Sequence, residues 1–520
     1  MELTIDQSTP RRRFNHHWKF CVGSAHAAYA LRHDYTKQLA QIHRELGIER
    51  VRFHGIFGDE LHTLVRATDV LPFPFGRGYS EQSFRQCANV YDNVLEAGMT
   101  PFAELSFLPK RLAKLPFAKG MFYYRPVVSL PRDIAQWQDY IARFVRFLID
   151  RYGRDAVSRW YFEVWNEPDL PFVFFDGRQK DYFRLYQATA QAIKGVERGI
   201  RVGGPATSGS RWIAEFLAFC RQSGAPVDFI STHQYAGDPI GGIEAKADGA
   251  ALNIDLLAAL RQRATLDHGK ILDLFRAFMG VADAPKTLQP DAFAESANNV
   301  KALAGALPVF YTEWNMCASF SAPCNDTAMQ ACYQLHAILN TQQSVDGSSI
   351  WCFSDLFEEF HQFPEEFHGG FGLLTQSGVK KPAYHALRFL HEAGDECYDL
   401  PTTGDADVAV FIKAHALHVI ASRLDFEANG KPEQICLKIQ TQAPAGVTLQ
   451  RIGADSANPL ACWEAMGKPQ TPTPAQLETL KAAAAPREEA APFTYADDWL
   501  RLDFSLGSNE IKRFVIAVEA

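Results

Sequence analysis

Between residues 18 and 395 the chain repeats one pattern eight times: a short run rich in β-branched and aromatic residues, then a longer amphipathic stretch. Such alternation leaves few folds open, because each helix must carry the chain back across the sheet and so makes successive strands parallel. The strand candidates are FCVGSAH (20–26), ERVRFHGIF (49–57), TPFAELSFL (100–108), RWYFEVWNE (159–167), IRVGGPA (200–206), VDFISTHQY (227–235), PVFYTEWN (308–315) and SIWCFSDLF (349–357). Amphipathic segments fall at 36–47, 80–98, 133–153, 179–197, 212–223, 326–342 and 380–394. In 133–153, Asp133 is placed to cap a helix whose apolar stripe runs Ile134, Trp137, Ile141, Phe144, Phe147, Leu148. Eight such units predict an α/β fold, a closed (β/α)8 TIM barrel over 18–395, in preference to an open doubly wound sheet. No G-x-G-x-x-G follows the first strand, which removes the main dinucleotide-binding reading.

The connection between strands six and seven, 236–307, is unusually long and includes a helical pattern, LNIDLLAALRQRA (252–264). Past 396 the texture changes to strand-like alternation, as in DVAVFIKAHALHVIASRL (407–424) and EQICLKIQ (433–440), which predicts a C-terminal antiparallel β-sandwich domain. Residues 464–492 are biased to Ala and Pro and read as a partly helical surface insertion. A length of 520 residues suits a large barrel with a smaller partner.

Two glutamates end barrel strands in polar-aromatic surroundings: Glu167 in Trp165-Asn166-Glu167-Pro168 after strand four, and Glu313 in Tyr311-Thr312-Glu313-Trp314-Asn315 after strand seven. Side chains there point into the shared bowl where barrel enzymes act. Two carboxyls supply what acetal cleavage needs, an acid for the leaving oxygen and a nucleophile for the anomeric carbon. Arg52 and His54 end strand two, His233 and Tyr235 end strand six, and Trp351 lies in strand eight, where its indole offers a floor to a sugar ring. Taken singly, a strand-end glutamate is most often solvated or salt-bridged, and His54 and Trp351 read as core. Their joint placement at the ends of five strands is what points to a site.

The net charge of −8 offers no attraction to nucleic acid or anionic lipid, so a neutral small oligosaccharide is the expected partner. No apolar stretch reaches about 18 residues, so no membrane span is expected. MELTIDQSTPRRRFNHH has no apolar h-region, and the ten scattered cysteines lack C-x-x-C spacing. A cytoplasmic location is expected, or a periplasmic or secreted one if a signal was removed before residue 1. No metal or organic cofactor is indicated, and an oligomeric assembly is compatible with these features.

The motifs RFHGIF (52–57), FEVWNEPDL (162–170), THQY (232–235), YTEWN (311–315), WCFSDLFEE (351–359) and FHGGFGLL (367–374) occur in an order that resembles glycoside hydrolase family 39. Its founding bacterial members are β-xylosidases and its animal members include α-L-iduronidase. The resemblance spans about 15–395. It implies Glu167 as acid/base, Glu313 as nucleophile, Asn166 at the substrate 2-hydroxyl, and Arg52 beside the nucleophile. His54, His233, Tyr235, Trp351, Glu358 and Glu359 would line the sugar pocket, and residues before about 17 would return to the C-terminal β-domain. Two features depart from the bacterial pattern: the long connection after strand six and the 464–492 insertion. The expected activity is a retaining exo-acting β-D-xylosidase. The rivals are β-glucosidase, α-L-arabinosidase and α-L-iduronidase activities, or a non-catalytic sugar-binding barrel.

Overall fold

The structure, a computed structural model, describes residues 1–66, 80–120, 122–171, 173–240, 288–318, 321–357, 359, 363–400 and 406–518. Eight parallel strands form a closed barrel: β1 (Cys21–Gly23), β2 (Arg50–Arg52), β3 (Thr100–Glu104), β4 (Tyr161–Glu163), β5 (Arg201–Thr207), β6 (Phe229–Tyr235), β7 (Val309–Asn315) and β8 (Gly347–Ile350). They pair in chain order, and β8 returns to β1 with Ser349 opposite Cys21 and Ile350 opposite Val22. The helices between and after them are α1 (His33–Leu46), α2 (Arg85–Glu96), α3 (Ile134–Tyr152), α4 (Gln179–Val196), α5 (Ile213–Ser223), α6 (Ala292–Ala304), α7 (Ala328–Asn340) and α8 (Pro382–Ala393).

The strands are mostly shorter than the apolar runs that predict them. In β2 the run continues through Phe53, Ile56 and Phe57, which are buried beyond the last paired residue. Hydrophobicity marks burial, and the loops at the active end of this barrel are buried too. Strand β8 starts two residues earlier than expected, because Gly347 and Ser348 are small residues that read as a turn. A Cβ at Gly347 would come within 2.6 Å of Phe20, so the small residue admits that ring. In α3, Asp133 accepts from the amides of Ala135 (2.9 Å) and Gln136 (3.4 Å), completing the cap. Its stripe buries Trp137, Ile141, Phe144 and Leu148, whereas Ile134, in the first turn, is 43% exposed. The predicted helix 252–264 lies outside the described residues; α6 lies in the same long connection.

The barrel floor is aromatic. Phe20, Phe102, Tyr161, Phe229 and Phe310 pack together with Cys21, with Phe20 stacked on Phe310 at 4.5 Å. Above this plug the strands turn their ends inward to form the polar bowl described below.

The C-terminal part is a sandwich of β9 (Glu396–Tyr398), β10 (Asp407–Lys413), β11 (Ala416–Arg423), β12 (Glu433–Gln440), β13 (Pro444–Ile452), β14 (Glu488–Ala490), β15 (Thr494–Ala496), β16 (Trp499–Leu506) and β17 (Glu510–Val518). The chain start joins both sheets: Glu2–Ile5 runs parallel to β12, and Arg11–Arg13 pairs with β9. Leu3, Ile5, Val410, Val419, Leu437, Leu500, Phe514 and Ile516 fill the space between the sheets. A short helix, Pro459–Ala465, runs into the Ala/Pro-rich stretch and a second, Pro474–Ala484, lies within it; their Trp463, Leu480 and Ala484 are buried against Phe367 and Val379 of the connection after β8. Among the described residues no helix is long and apolar enough to cross a membrane.

Barrel and sandwich meet at an ionic joint. His336 on α7 lies 2.8 Å from Asp407 of β10 and 3.0 Å from Asp291 before α6. Burial opposes its charge, but the two aspartates prevail and push its pKa up to about 9. The folded pKa therefore exceeds the unfolded one, so this stabilisation is complete below about pH 6.5 and disappears as pH rises through about 9. Asp407→Asn is expected to cost roughly 1–2 kcal/mol at pH 6, allowing for screening at solvent-facing Asp291. Thermal unfolding should show the variant's deficit at pH 6 and its convergence with the wild type near pH 10.

Candidate active site

Glu167 and Glu313 reach the bowl by different backbone routes. Strand β4 ends at Glu163, and the chain turns through Trp165-Asn166-Glu167 with positive φ at Trp165 (73°) and Glu167 (39°). Non-glycine residues held in this region are strained, and the surroundings must enforce it. Here the Glu167 amide is tied to the Ala206 carbonyl (2.8 Å), Trp165 Nε1 bonds the Phe174 carbonyl (2.9 Å), and Pro168 follows. Glu313 instead sits within β7, where the pairing with β6 and with β8 slips around residues 312 and 313. Such irregularities re-aim a side chain that regular alternation would leave elsewhere. Both glutamates are 6% exposed.

His233 of β6 lies between them. Its ring is buried and pushed down to about 4, by burial first and against the pull of Glu313. It is therefore neutral near pH 7. Arg52 Nη2 approaches its Nε2 at 3.4 Å, which places the ring proton on Nδ1, donating to Glu167 Oε1 at 2.9 Å. Tyr235 donates its hydroxyl to Glu313 Oε1 at 2.5 Å, and burial and the neighbouring carboxylates keep that phenol protonated. Nitrogen and oxygen atoms of Glu167, His233 and Glu313 all lie within 4.8 Å of one another. This is the set among the described residues that approaches a metal site. With one ring nitrogen donating and the other accepting, neither keeps a lone pair for a cation.

Arg52, fully buried, organises the layer below. Its Nε lies 2.7 Å from Glu163, Nη2 lies 2.9 Å from Glu104 and donates to Asn166 Oδ1 at 2.7 Å, and Nη1 faces Glu313 at 3.5 Å. Glu163 also accepts from Thr312 (2.7 Å). His54 Nδ1 meets Glu104 at 2.6 Å, and its ring lies 4.9 Å from Trp351. Trp351 immediately follows β8 and is 2% exposed; a Cβ at Gly23 would come within 2.3 Å of its indole, so β1 has a glycine there. Glu359 lies 3.7 Å from His54 Nε2. The structure thus gathers every predicted site residue except Glu358, which lies outside the described residues.

Glu104 and Glu163 are missing from the sequence reading, although a charged residue inside an otherwise apolar parallel strand is itself a signal. Asp169 and Asp238 are missing too. Asp169 is held by the Ser208 amide (3.0 Å) and hydroxyl (2.9 Å), and Asp238 accepts from the Tyr235 amide (2.9 Å).

The two facing carboxyls do not hold protons alike. Burial, then Asp169 and Asp238, push Glu167 up to about 8. Burial lifts Glu313 as well, and a charge on Glu167 would add to the rise, while the Arg52 guanidinium works against it. The arrangement keeps the proton on Glu167 near neutrality, and the Tyr235 hydroxyl and Arg52 guanidinium facing Glu313 favour its ionised form. Burial, followed by Glu313, Glu167 and Glu104, also keeps Glu359 protonated. Arg52 Nη1, Asn166 Nδ2 and Glu313 Oε2 are buried atoms without a hydrogen-bond partner among the described residues. Three such groups in one bowl mark a place where a polar ligand completes the bonding.

Arg52→Gln would leave Glu104, Glu163 and Glu313 together without their cation, an expected loss of about 3–5 kcal/mol. Arg52→Gln/Glu163→Gln should recover part of it. Urea unfolding of both variants beside the wild type checks this; equal losses would mean that charge is not the cause.

The model for "Glycosyl hydrolases family 39" matches residues 1–250 and 285–498. The match passes over part of the long connection after β6. A "Beta-xylosidase" from Caldicellulosiruptor saccharolyticus is 35% identical over 502 residues, covering 94% of this chain and 92% of that protein. Another from Geobacillus stearothermophilus is 30% identical over 519 residues, covering 98% and 94%. The solved structure of a GH39 beta-xylosidase from Caulobacter crescentus, 26% identical, superimposes with a TM-score of 0.76 over 99% of each chain. With a family match across most of its length and relatives similar end to end, the chain belongs to glycosyl hydrolase family 39.

Proposed function

We propose that the chain hydrolyses β-D-xylosides from short xylo-oligosaccharides with retention, Glu313 acting as nucleophile and Glu167 as acid/base. The observation that carries this is the approach of the two carboxyls, with oxygens within 4.8 Å. Retaining enzymes hold their carboxyl groups about 5–5.5 Å apart, whereas inverting ones leave roughly 6.5–9.5 Å for a water. In the first step Glu313, held ionised by Tyr235 and Arg52, attacks the anomeric carbon while Glu167 gives its proton to the departing oxygen. The glycosyl ester that forms neutralises Glu313. Removing that charge lowers the affinity of Glu167 for a proton, so the Glu167 carboxylate can take one from the water that releases the sugar.

The glycone assignment follows the named activity of the two full-length relatives and the charge of the bowl. Five glutamates (104, 163, 167, 313 and 359) surround one guanidinium, which already faces three of them. Among the described residues lining the bowl a uronate would meet no cation besides Arg52, which disfavours iduronidase activity. A purely sugar-binding barrel would have no need of the strained turn at Glu167 or of its unequal pairing with Glu313. We also place the protein in a reducing compartment, a reading supported by ten cysteines that form no disulfide among the described residues.

Among nitrophenyl β-xyloside, β-glucoside, α-arabinoside and an iduronide analogue, the β-xyloside is expected to give the highest kcat/KM. Proton NMR should detect β-xylose as the first product; α-xylose first would rule out retention. The pH profile of kcat/KM should fall on its basic side near pH 8 as Glu167 loses its proton. Glu167→Ala should abolish that limb on activated xylosides and be accelerated by azide, forming β-xylosyl azide. Glu313→Ala should lower kcat by at least about 10⁴-fold with the fold retained.

A further inference from the structure

The site as read so far does not use Glu104, yet that residue is fully engaged beside it. One Glu104 oxygen meets His54 Nδ1 at 2.6 Å and Arg52 at 2.9 Å, and the other accepts the Ser106 hydroxyl. The Ser106 oxygen in turn accepts from the Gly55 amide (3.1 Å), which straps the end of β2 to that of β3. The imidazole has little freedom: Trp351 lies against it at 4.9 Å, Phe174 at 5.6 Å and Phe107 at 6.3 Å. On its far side Nε2 faces Glu359 at 3.7 Å. We propose that Glu104 is a positioning residue for sugar recognition, holding His54 as its Nδ1–H tautomer so that Nε2 and the Glu359 carboxyl together grip one hydroxyl of the glycone.

The geometry fits this division of labour. At 3.7 Å, Nε2 and the Glu359 oxygen are too far apart for a direct hydrogen bond. A hydroxyl oxygen about 2.8 Å from each reaches both. Burial alone would favour a protonated Glu104, but the Arg52 charge and the hydrogen bonds from His54 and Ser106 favour its ionised form, so it accepts and His54 donates. A carboxylate behind an imidazole fixes which ring nitrogen carries the proton, as it does behind metal-bound histidines. Glu359, protonated, supplies the donor that complements the Nε2 lone pair. One hydroxyl, donating to His54 and accepting from Glu359, has both its roles satisfied. The inference rests on the xyloside reading of the pocket.

Nitrogen-15 spectra of the wild-type enzyme, with His54 assigned by loss of its signals in His54→Ala, should show the Nδ1–H tautomer at neutral pH. In Glu104→Gln this preference should weaken. With p-nitrophenyl 3-deoxy- and 4-deoxy-β-xylosides, one deoxy substrate should lose on the order of 10- to 100-fold in kcat/KM on the wild type. In Glu104→Gln the same comparison should shrink to about threefold or less, through a raised KM on the parent substrate, with the pH limbs unmoved. An Nε2–H tautomer in the wild type, or deoxy penalties undiminished in Glu104→Gln, overturns the proposal. If the wild type cleaves none of the xylosides, the xyloside reading fails, and the tautomer, measured without substrate, still decides the role of Glu104.

Discussion

Arg52 brings one positive charge into a layer of the barrel where Glu104 of β3 stands in register with Glu163 of β4 and Glu313 lies 3.5 Å away. At an effective dielectric constant near 20, a pair of unit charges about 4 Å apart interacts by about 4 kcal/mol. Attraction to Arg52 is therefore similar in size to the repulsion among the glutamates, and each buried ion also costs several kcal/mol of lost hydration. Such a cluster is a poor stabiliser and a strong organiser. Each carboxylate must sit where the guanidinium reaches it, and this fixes the relative heights of β2, β3, β4 and β7. Asn166 and His233 are drawn into the same fork, so the geometry around both catalytic candidates descends from one side chain.

The aromatic floor makes that cluster electrostatically effective. Phe20, Phe102, Phe229 and Phe310 pack into the barrel below it, an apolar layer that screens the charges little. In these surroundings small asymmetries separate two like groups widely. Glu167 has Asp169 and Asp238 among its neighbours and holds its proton, whereas Glu313 has the Tyr235 hydroxyl and the Arg52 charge and releases it. Two carboxyls in one bowl thus take opposite protonation states, which is the condition for acid and nucleophile to coexist at one pH.

What the sequence reveals follows from how local each signal is. The eight-fold alternation exposes the barrel because periodicity and burial are written within each segment, and the strand-end motifs expose Glu167 and Glu313. Strand ends are blurred where apolar residues continue into buried loops, as at Phe53 to Phe57. Glu104 and Glu163 escape notice because their partner, Arg52, is 52 and 111 positions away and only barrel closure brings them together. The exposed Ile134 is a different failure: it has helical spacing, but it sits in the first turn, where α3 overhangs the barrel. The packing of Trp463 and Leu480 onto the connection after β8 also depends on tertiary contact alone.

That last contact links the sandwich side of the molecule to the sugar pocket. The connection after β8 carries Trp351 and Glu359 and, among the described residues, keeps its shape without a helix or a strand before α8. Lys381, fully buried, anchors it from within: its ammonium lies 2.5 Å from Asp326, 2.6 Å from Asp355 and 3.0 Å from the Gly370 carbonyl. Asp355 also accepts from the Gly372 amide and Asp326 from that of Gly369, both at 2.7 Å, so one cation and two carboxylates fix three points of the chain. Phe367 and Val379, between and beyond those points, are covered by Trp463, Leu480 and Ala484. The ion triad is itself buried, where a charge pair is stronger than in water. The Pro459–Ala465 and Pro474–Ala484 helices are thereby part of the support for Glu359, although they lie about a hundred residues beyond it in the chain.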